Sequence, residues 1–247
     1  MSLDPVTIAT FLVTVSILGI SKGGLAGVGM MAMPTLLFVM PPAQAAGLML
    51  PILMIQDAFS VWLYRAHWDR GNVKLLLPAA LIGIGLGFTL FWALPERPIL
   101  GILGIVTLAF ALRGILNANA PSKVPSKRVG FLLGMMSGFT STVFHQGGPP
   151  FQIYLIPQRL PRDVFVGTGV MFFAAVNLIK LPGFIVLGQI TREGLIIAAI
   201  SAPFALFMTY VGMLLVRRFS AERFYQIIYW LLALVGTKLL FDAIIGR

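Results

Sequence analysis

The sequence predicts an all-α integral membrane protein of two inverted repeats, each a short broken or re-entrant helix pair followed by three transmembrane helices. Three observations carry that prediction. Apolar residues fill 58% of the 247 positions, charged residues only 11%, and the polar breaks recur in the same order in both halves. A soluble domain is about 45–50% apolar and about 25% charged, because a water-facing surface has to be covered. Here the charge is too sparse, and the mean hydropathy is +0.95. Apolar runs of about 18 residues or more therefore read as bilayer spans.

The elements follow in order. A first apolar segment covers residues 5–20 and is interrupted by Ser21-Lys22-Gly23-Gly24; a second short one, 25–40, is stopped by Pro41-Pro42. Full spans follow at 43–64, 75–94 and 98–116. The stretch NANAPSKVPSK, 117–127, is polar and carries two prolines, so it reads as a linker. Beyond it come a short segment at 129–141, a shorter one at 151–156, and spans at 163–187, 194–216 and 221–245. The expected organisation is a first membrane repeat over 1–116, a cytoplasmic linker over 117–128 and a second repeat over 129–247. The first five residues hold neither a basic region nor a small-residue cleavage site, so the first segment is expected to stay in the protein.

The repeat rests on matches whose offset rises in order. Adding 116 carries Ser21 onto Ser137, Pro34 onto Pro150 and Pro41 onto Pro157. Adding 120 carries Gly47 onto Gly167, Asp57 onto Asn177 and Ser60 onto Lys180; adding 126 carries Glu96-Arg97 onto Glu222-Arg223.

Charge then suggests how the halves are related. With the 65–74 loop inside, the inside loops carry twelve of the eighteen Lys and Arg residues. The outside carries Arg97, Arg192 and Arg247, and Lys22, Lys180 and Lys238 fall within spans. The loop after the third span is basic in the first half (Arg65, Arg70, Lys74), whereas its counterpart holds Arg192 beside Glu193. Equivalent loops thus fall on opposite sides, as in inverted repeats with both termini outside. A parallel arrangement would put those loops on one face, against the bias. The net charge of +10 accordingly reads as membrane orientation, and no nucleic-acid partner is expected. The expected partners are the lipid bilayer and a small anion; nothing in the sequence specifies an oligomeric state.

Cysteine is absent and His67 and His145 are the only histidines, which excludes disulfides and thiol chemistry and leaves no expected cofactor or metal. Candidate residues come instead from polar groups inside apolar segments. Lys22 lies in a glycine-rich break, where a half-helix start would expose N–H groups to an anion beside an ammonium. Ser21, Lys22, Gly23 and Gly24 are therefore candidate substrate-binding residues, with a lysine capping a helix end as the alternative. The counterpart stretch 137–150 offers Ser137, Thr140, Ser141, His145 and Gln146 as hydrogen-bonding groups, with local helix carbonyls as their alternative partners. Gln56, Asp57, Asn177 and Lys180 form a candidate coupling or supporting set, in which Asp57 pairs with Lys180, neutralises Lys22 or moves a proton. Lys238 and Asp242, spaced i, i+4, suggest a snorkelling pair. Gly83, Gly85 and Gly87 suggest a close-packing stripe, with Gly101 and Gly104 nearby in sequence.

With those residues in view, the chain resembles the sulfite exporter TauE/SafE family. The resemblance is carried by SKGGLAGVGMMAMP, Ser21 to Pro34, and by the 69–77 stretch leading into a glycine-rich span. It covers nearly the whole chain. The second half departs from the family's pattern, with His145-Gln146-Gly147-Gly148-Pro149-Pro150 in place of a glycine run. The resemblance implies export of small sulfur-containing anions such as sulfite or an organosulfonate. The reading from the residues is a secondary transporter of a small oxyanion, with proton coupling through Asp57 as one option. A passive anion channel is the alternative, and no metal cluster or nucleophile motif favours an intramembrane enzyme.

Overall fold

The computed structural model describes residues 4–25, 27–90, 96–116 and 124–245. Its helices are α1 (Pro5–Gly23), α2 (Ala32–Leu36), α3 (Pro42–Tyr64), α4 (Arg70–Leu90), α5 (Glu96–Leu116), α6 (Lys127–Phe144), α7 (Gly148–Leu155), α8 (Arg162–Val186), α9 (Arg192–Arg217) and α10 (Ala221–Ile245). One 3-10 turn, Val28–Met31, precedes α2, and another, Ile156–Gln158, follows α7. No strand occurs among the described residues. Most of the expected linker (117–123), and both chain ends with Arg247, lie outside the described residues.

Seven helices, α1, α3–α5 and α8–α10, are long and apolar enough to cross a membrane. That corrects one expectation. The opening piece of each half is not short: α1 has 19 residues and α6 has 18, each close to 30 Å at about 1.5 Å per residue. Only α2 and α7 are short. α6 falls outside the seven because Lys127, Arg128 and its glycines and hydroxyls dilute its hydropathy.

Local chemistry sets the helix starts. Asp4 caps α1 by accepting from the Thr7 N–H at 2.9 Å, ahead of Pro5 at the first helical position. Ser126 caps α6 by accepting from the Val129 N–H, which starts the helix inside the expected linker.

The chain divides into two compact units. The first comprises residues 1–70 and 166–218. In it α1 and α9 run side by side in the same direction, because Gly19 meets Met208 and Gly23 meets Gly212 and Met213. A Cβ on Gly19 would fall 2.6 Å from that of Met208, so the close approach requires glycine there. α3 runs the same way as α1: Gln56 reaches the Val15 carbonyl, and Tyr64 reaches that of Gly23. The intervening stretch must therefore return along α1, and it does so with buried apolar residues. Ala32, Leu36 and Met40 join Phe11, Val15 and Leu18 in one core with Leu48, Ile52 and Ala205. α3 and α8 pair in reverse order. A Cβ on Gly47 would run into the Gln189 carbonyl, Asp57 meets Asn177, and a Cβ on Gly167 would run into the His67 carbonyl. The Asp69 N–H donates to Thr168 Oγ1 at 2.8 Å in the same register.

The second unit comprises residues 71–165 and 219–247. Here α4 and α6 run together, with Gly134 against Leu76 and Ala79, and Gly83 against Met135 and Phe139. α5 and α10 run in opposite directions: Gly104 meets Leu240, Gly236 meets Leu108, and Gly114 meets Tyr229. The expected glycine stripe is thereby corrected. Gly83 and Gly87 make contacts, but nothing lies within 4 Å of a Cβ built on Gly85, since two residues on turns the position away from the packed face. Gly101 has only Ala243 Cβ at 3.6 Å.

Candidate functional site

The first unit gathers four polar groups, Lys22, Asp57, Asn177 and Lys180, onto one largely buried cluster. The Lys22 ammonium donates to Asp57 Oδ1 at 2.5 Å, and Asn177 Nδ2 donates to Asp57 Oδ2 at 2.6 Å. Both carboxylate oxygens are thus occupied in a side chain that is 5% exposed. Lys180 is almost wholly buried and lies within electrostatic reach of both Lys22 and Asp57. Gln56 is fully buried, and its Nε2 donates to the Val15 and Ala205 carbonyls at 3.4 Å each. The Lys22 ammonium also sits 5.9 Å from the Phe173 ring centroid, within cation–π range.

Why Lys22 sits there follows from the end of α1. The helix does not break at Ser21, as the sequence suggested, but runs on to Gly23 and turns at Gly24, whose φ of 142° suits glycine. A helix end leaves four carbonyls without partners. The Gly24 N–H donates to those of Ile20 and Ser21, Ser60 Oγ donates to that of Lys22 at 3.2 Å, and the Tyr64 hydroxyl to that of Gly23 at 2.7 Å. α3 therefore caps α1 with two side chains. This places the Lys22 ammonium at the negative end of the helix dipole, where a cation is favoured.

The expected half-helix N-terminal anion site is corrected by the same geometry. Lys22 stands at a helix C-terminus, and α2, the next helix, has only five residues. In the second unit α7 begins Gly148-Pro149-Pro150, and proline has no N–H to offer. Ser137, Thr140 and Ser141 lie on continuous α6 rather than in a break. Thr140 donates to the Met136 carbonyl at 2.8 Å and Ser137 to that of Gly147 at 2.7 Å. The break itself is formed by His145, with a left-handed φ of 56°, followed by Gln146 and Gly147. Ser21, Lys22, Gly23, Gly24, Gln56, Asp57, Asn177 and Lys180 thus belong to one unit, and Ser137, Thr140, Ser141, His145 and Gln146 to the other.

Three side chains escaped sequence reasoning. Tyr64 and Phe173 read as ordinary apolar-span aromatics, and only the fold reveals their contacts. Gln152 was legible in principle as the one amide in the apolar 151–156 run. It is fully buried, and among the described residues neither its Nε2 nor its Oε1 has a partner.

Seven long apolar helices, with a buried charged cluster in the first unit, mark a multi-pass membrane protein. Its residues 11–239 match the family model described as "Sulfite exporter TauE/SafE". The chain belongs to that family, a family of membrane transporters for anions of the sulfite and sulfonate type. No curated protein and no solved structure matches it.

Proposed function

We propose that the protein is a secondary transporter, an exporter in direction, of a small oxyanion such as sulfite or an organosulfonate. The solute is held at the Lys22–Asp57–Asn177–Lys180 cluster. One observation carries the reading: two lysines face a single carboxylate inside membrane-spanning helices, a formal surplus of one positive charge. A surplus of positive charge at membrane depth is costly, about 2.5–3.5 kcal/mol for a lysine even on insertion scales. A monovalent anion offsets that cost, and its release restores it, so occupancy biases the cluster between two arrangements.

The two sequence halves are proposed to act as inverted repeats that move around this point, between outside termini and a cytoplasmic linker. Supporting this are the reciprocal approaches of Gly47 to Gln189 and Gly167 to His67, the touching equivalents Asp57 and Asn177, and the interior prolines Pro78 and Pro203 of α4 and α9. Proton coupling would pass through Asp57, whose protonation frees Lys22 for the anion.

Reconstitution in liposomes with labelled sulfite tests the reading. Wild type should accumulate or release the label in response to a proton gradient, and Lys180→Met, which removes the surplus charge, should lose at least about tenfold, the equivalent of about 1.4 kcal/mol. Equal flux in Lys180→Met overturns the assigned site, and flux indifferent to the gradient makes the protein a passive anion channel.

A further inference from the structure

We propose that Gln152 contacts the O–H of a singly protonated oxyanion during its passage and so favours that form over a fully deprotonated one. The inference rests on the transporter reading above but on a different part of the chain. Gln152 occupies α7, flanked by buried Phe151, Tyr154 and Leu155, with an exposure of 0%. Burying an amide without partners costs about 1–3 kcal/mol in proteins. The cost is avoidable, since Met or Leu would fill the same space without it. Whichever way the Gln152 amide is turned, one donor nitrogen and one acceptor oxygen remain open.

The open set on α7 is therefore one acceptor oxygen and one amide nitrogen, both uncharged. A fully ionised oxyanion only accepts hydrogen bonds. It would satisfy the nitrogen and turn lone pairs against the oxygen. A singly protonated oxyanion supplies an O–H to the oxygen and an acceptor to the nitrogen. A site built to hydrogen-bond a substrate O–H discriminates strongly against analogues that lack it.

The test uses the full chain in liposomes, in mildly acidic buffer where sulfite carries one proton, with methanesulfonate as an acceptor-only probe. Gln152→Met should lower sulfite flux by about tenfold or more, the loss of one hydrogen bond, while methanesulfonate flux changes by less than about twofold. Its thermal midpoint should stay the same or rise, because an unpaired amide has been removed. Unchanged sulfite flux with a raised midpoint, the signature of an amide that holds only water, overturns the proposal. So does an equal loss for both probes. If Gln152→Met does not fold, Gln152→Asn, which withdraws the same amide by one methylene, carries the comparison. Failure of wild type to move either probe would sink the transporter reading itself, and the two failures are thereby distinguishable.

Discussion

Replacing Asp57 by asparagine probes the charged cluster directly. The carboxylate accepts from Lys22 on one oxygen and from Asn177 on the other, and Lys180 lies within electrostatic reach. Asp57→Asn keeps the shape but raises the formal charge of the cluster from one positive to two. Removing one partner of a buried ion pair costs about 3–5 kcal/mol. The Lys22 side chain retains 13% exposure and the new amide still offers one oxygen, so the lower end, about 3 kcal/mol, is expected. For a chain of this size each kcal/mol moves the midpoint by about 2–4 °C, which gives a fall of about 6–12 °C. Thermal unfolding in detergent, followed by fluorescence of the four tryptophans, reads this. The double variant Lys22→Met/Asp57→Asn restores a single surplus charge and should recover most of the loss, since an apolar replacement of a whole buried pair is often neutral. Sulfite should raise the midpoint of Asp57→Asn more than that of wild type, because the anion then neutralises a larger charge and stabilises by mass action. A single variant that melts with wild type, or a double variant less stable than the single, refutes the electrostatic account. Equal protection by sulfite in both proteins refutes the anion's place in it.

The remaining predictions concern packing and orientation. Gly47→Ala and Gly167→Ala should each destabilise, by about 1–3 kcal/mol for a methyl forced against backbone, and by similar amounts, because each approaches a carbonyl in the same way. Gly85→Ala, with open space around it, should be neutral or stabilising by up to about 1 kcal/mol; unequal effects of the first two would count against the reciprocal α3–α8 arrangement. Because the chain has no cysteine, a single Ser126→Cys gives a clean label site. An impermeant maleimide should reach it only from the cytoplasmic side, and labelling from outside alone would reverse the proposed orientation.

Much of the fold was legible because spans announce themselves by length and hydropathy, and α10 begins and ends where the apolar run does. The two opening helices were misjudged for one reason. Ser21-Lys22-Gly23 and Ser137 to Ser141 look like breaks when helix propensity is summed along the chain. In the structure tertiary partners override it: Ser60 and Tyr64 cap the end of α1, and hydroxyls on α6 bond back to carbonyls one turn earlier. Capping by a residue some forty positions away leaves no local trace. The Lys22–Asp57–Asn177–Lys180 set was legible because charge inside an apolar run is conspicuous. Its pairing was not, since the sequence left Asp57 free to choose either lysine.

The proposed repeat explains why the cluster is asymmetric. Two equivalent helices that run in opposite directions must face each other at one equivalent pair, where each residue meets its own counterpart. The contacts of Gly47 with Gln189 and of Asp69 with Thr168 centre that point on residues 57 and 177, 120 positions apart. A strict repeat would put the same side chain there twice. Two aspartates would set like charges together at membrane depth, and one would have to take up a proton. Asp57 with Asn177 avoids this, because the amide donates to the carboxylate in a 2.6 Å hydrogen bond. The next equivalent pair breaks symmetry in charge as well, with Ser60 spent on capping α1 and Lys180 buried on α8. The surplus cation is therefore carried by only one of two equivalent helices. On the proposed reading, a solute drawn to it would be held off the centre of the pair, toward α8, and the two repeats would not contribute equally to its binding.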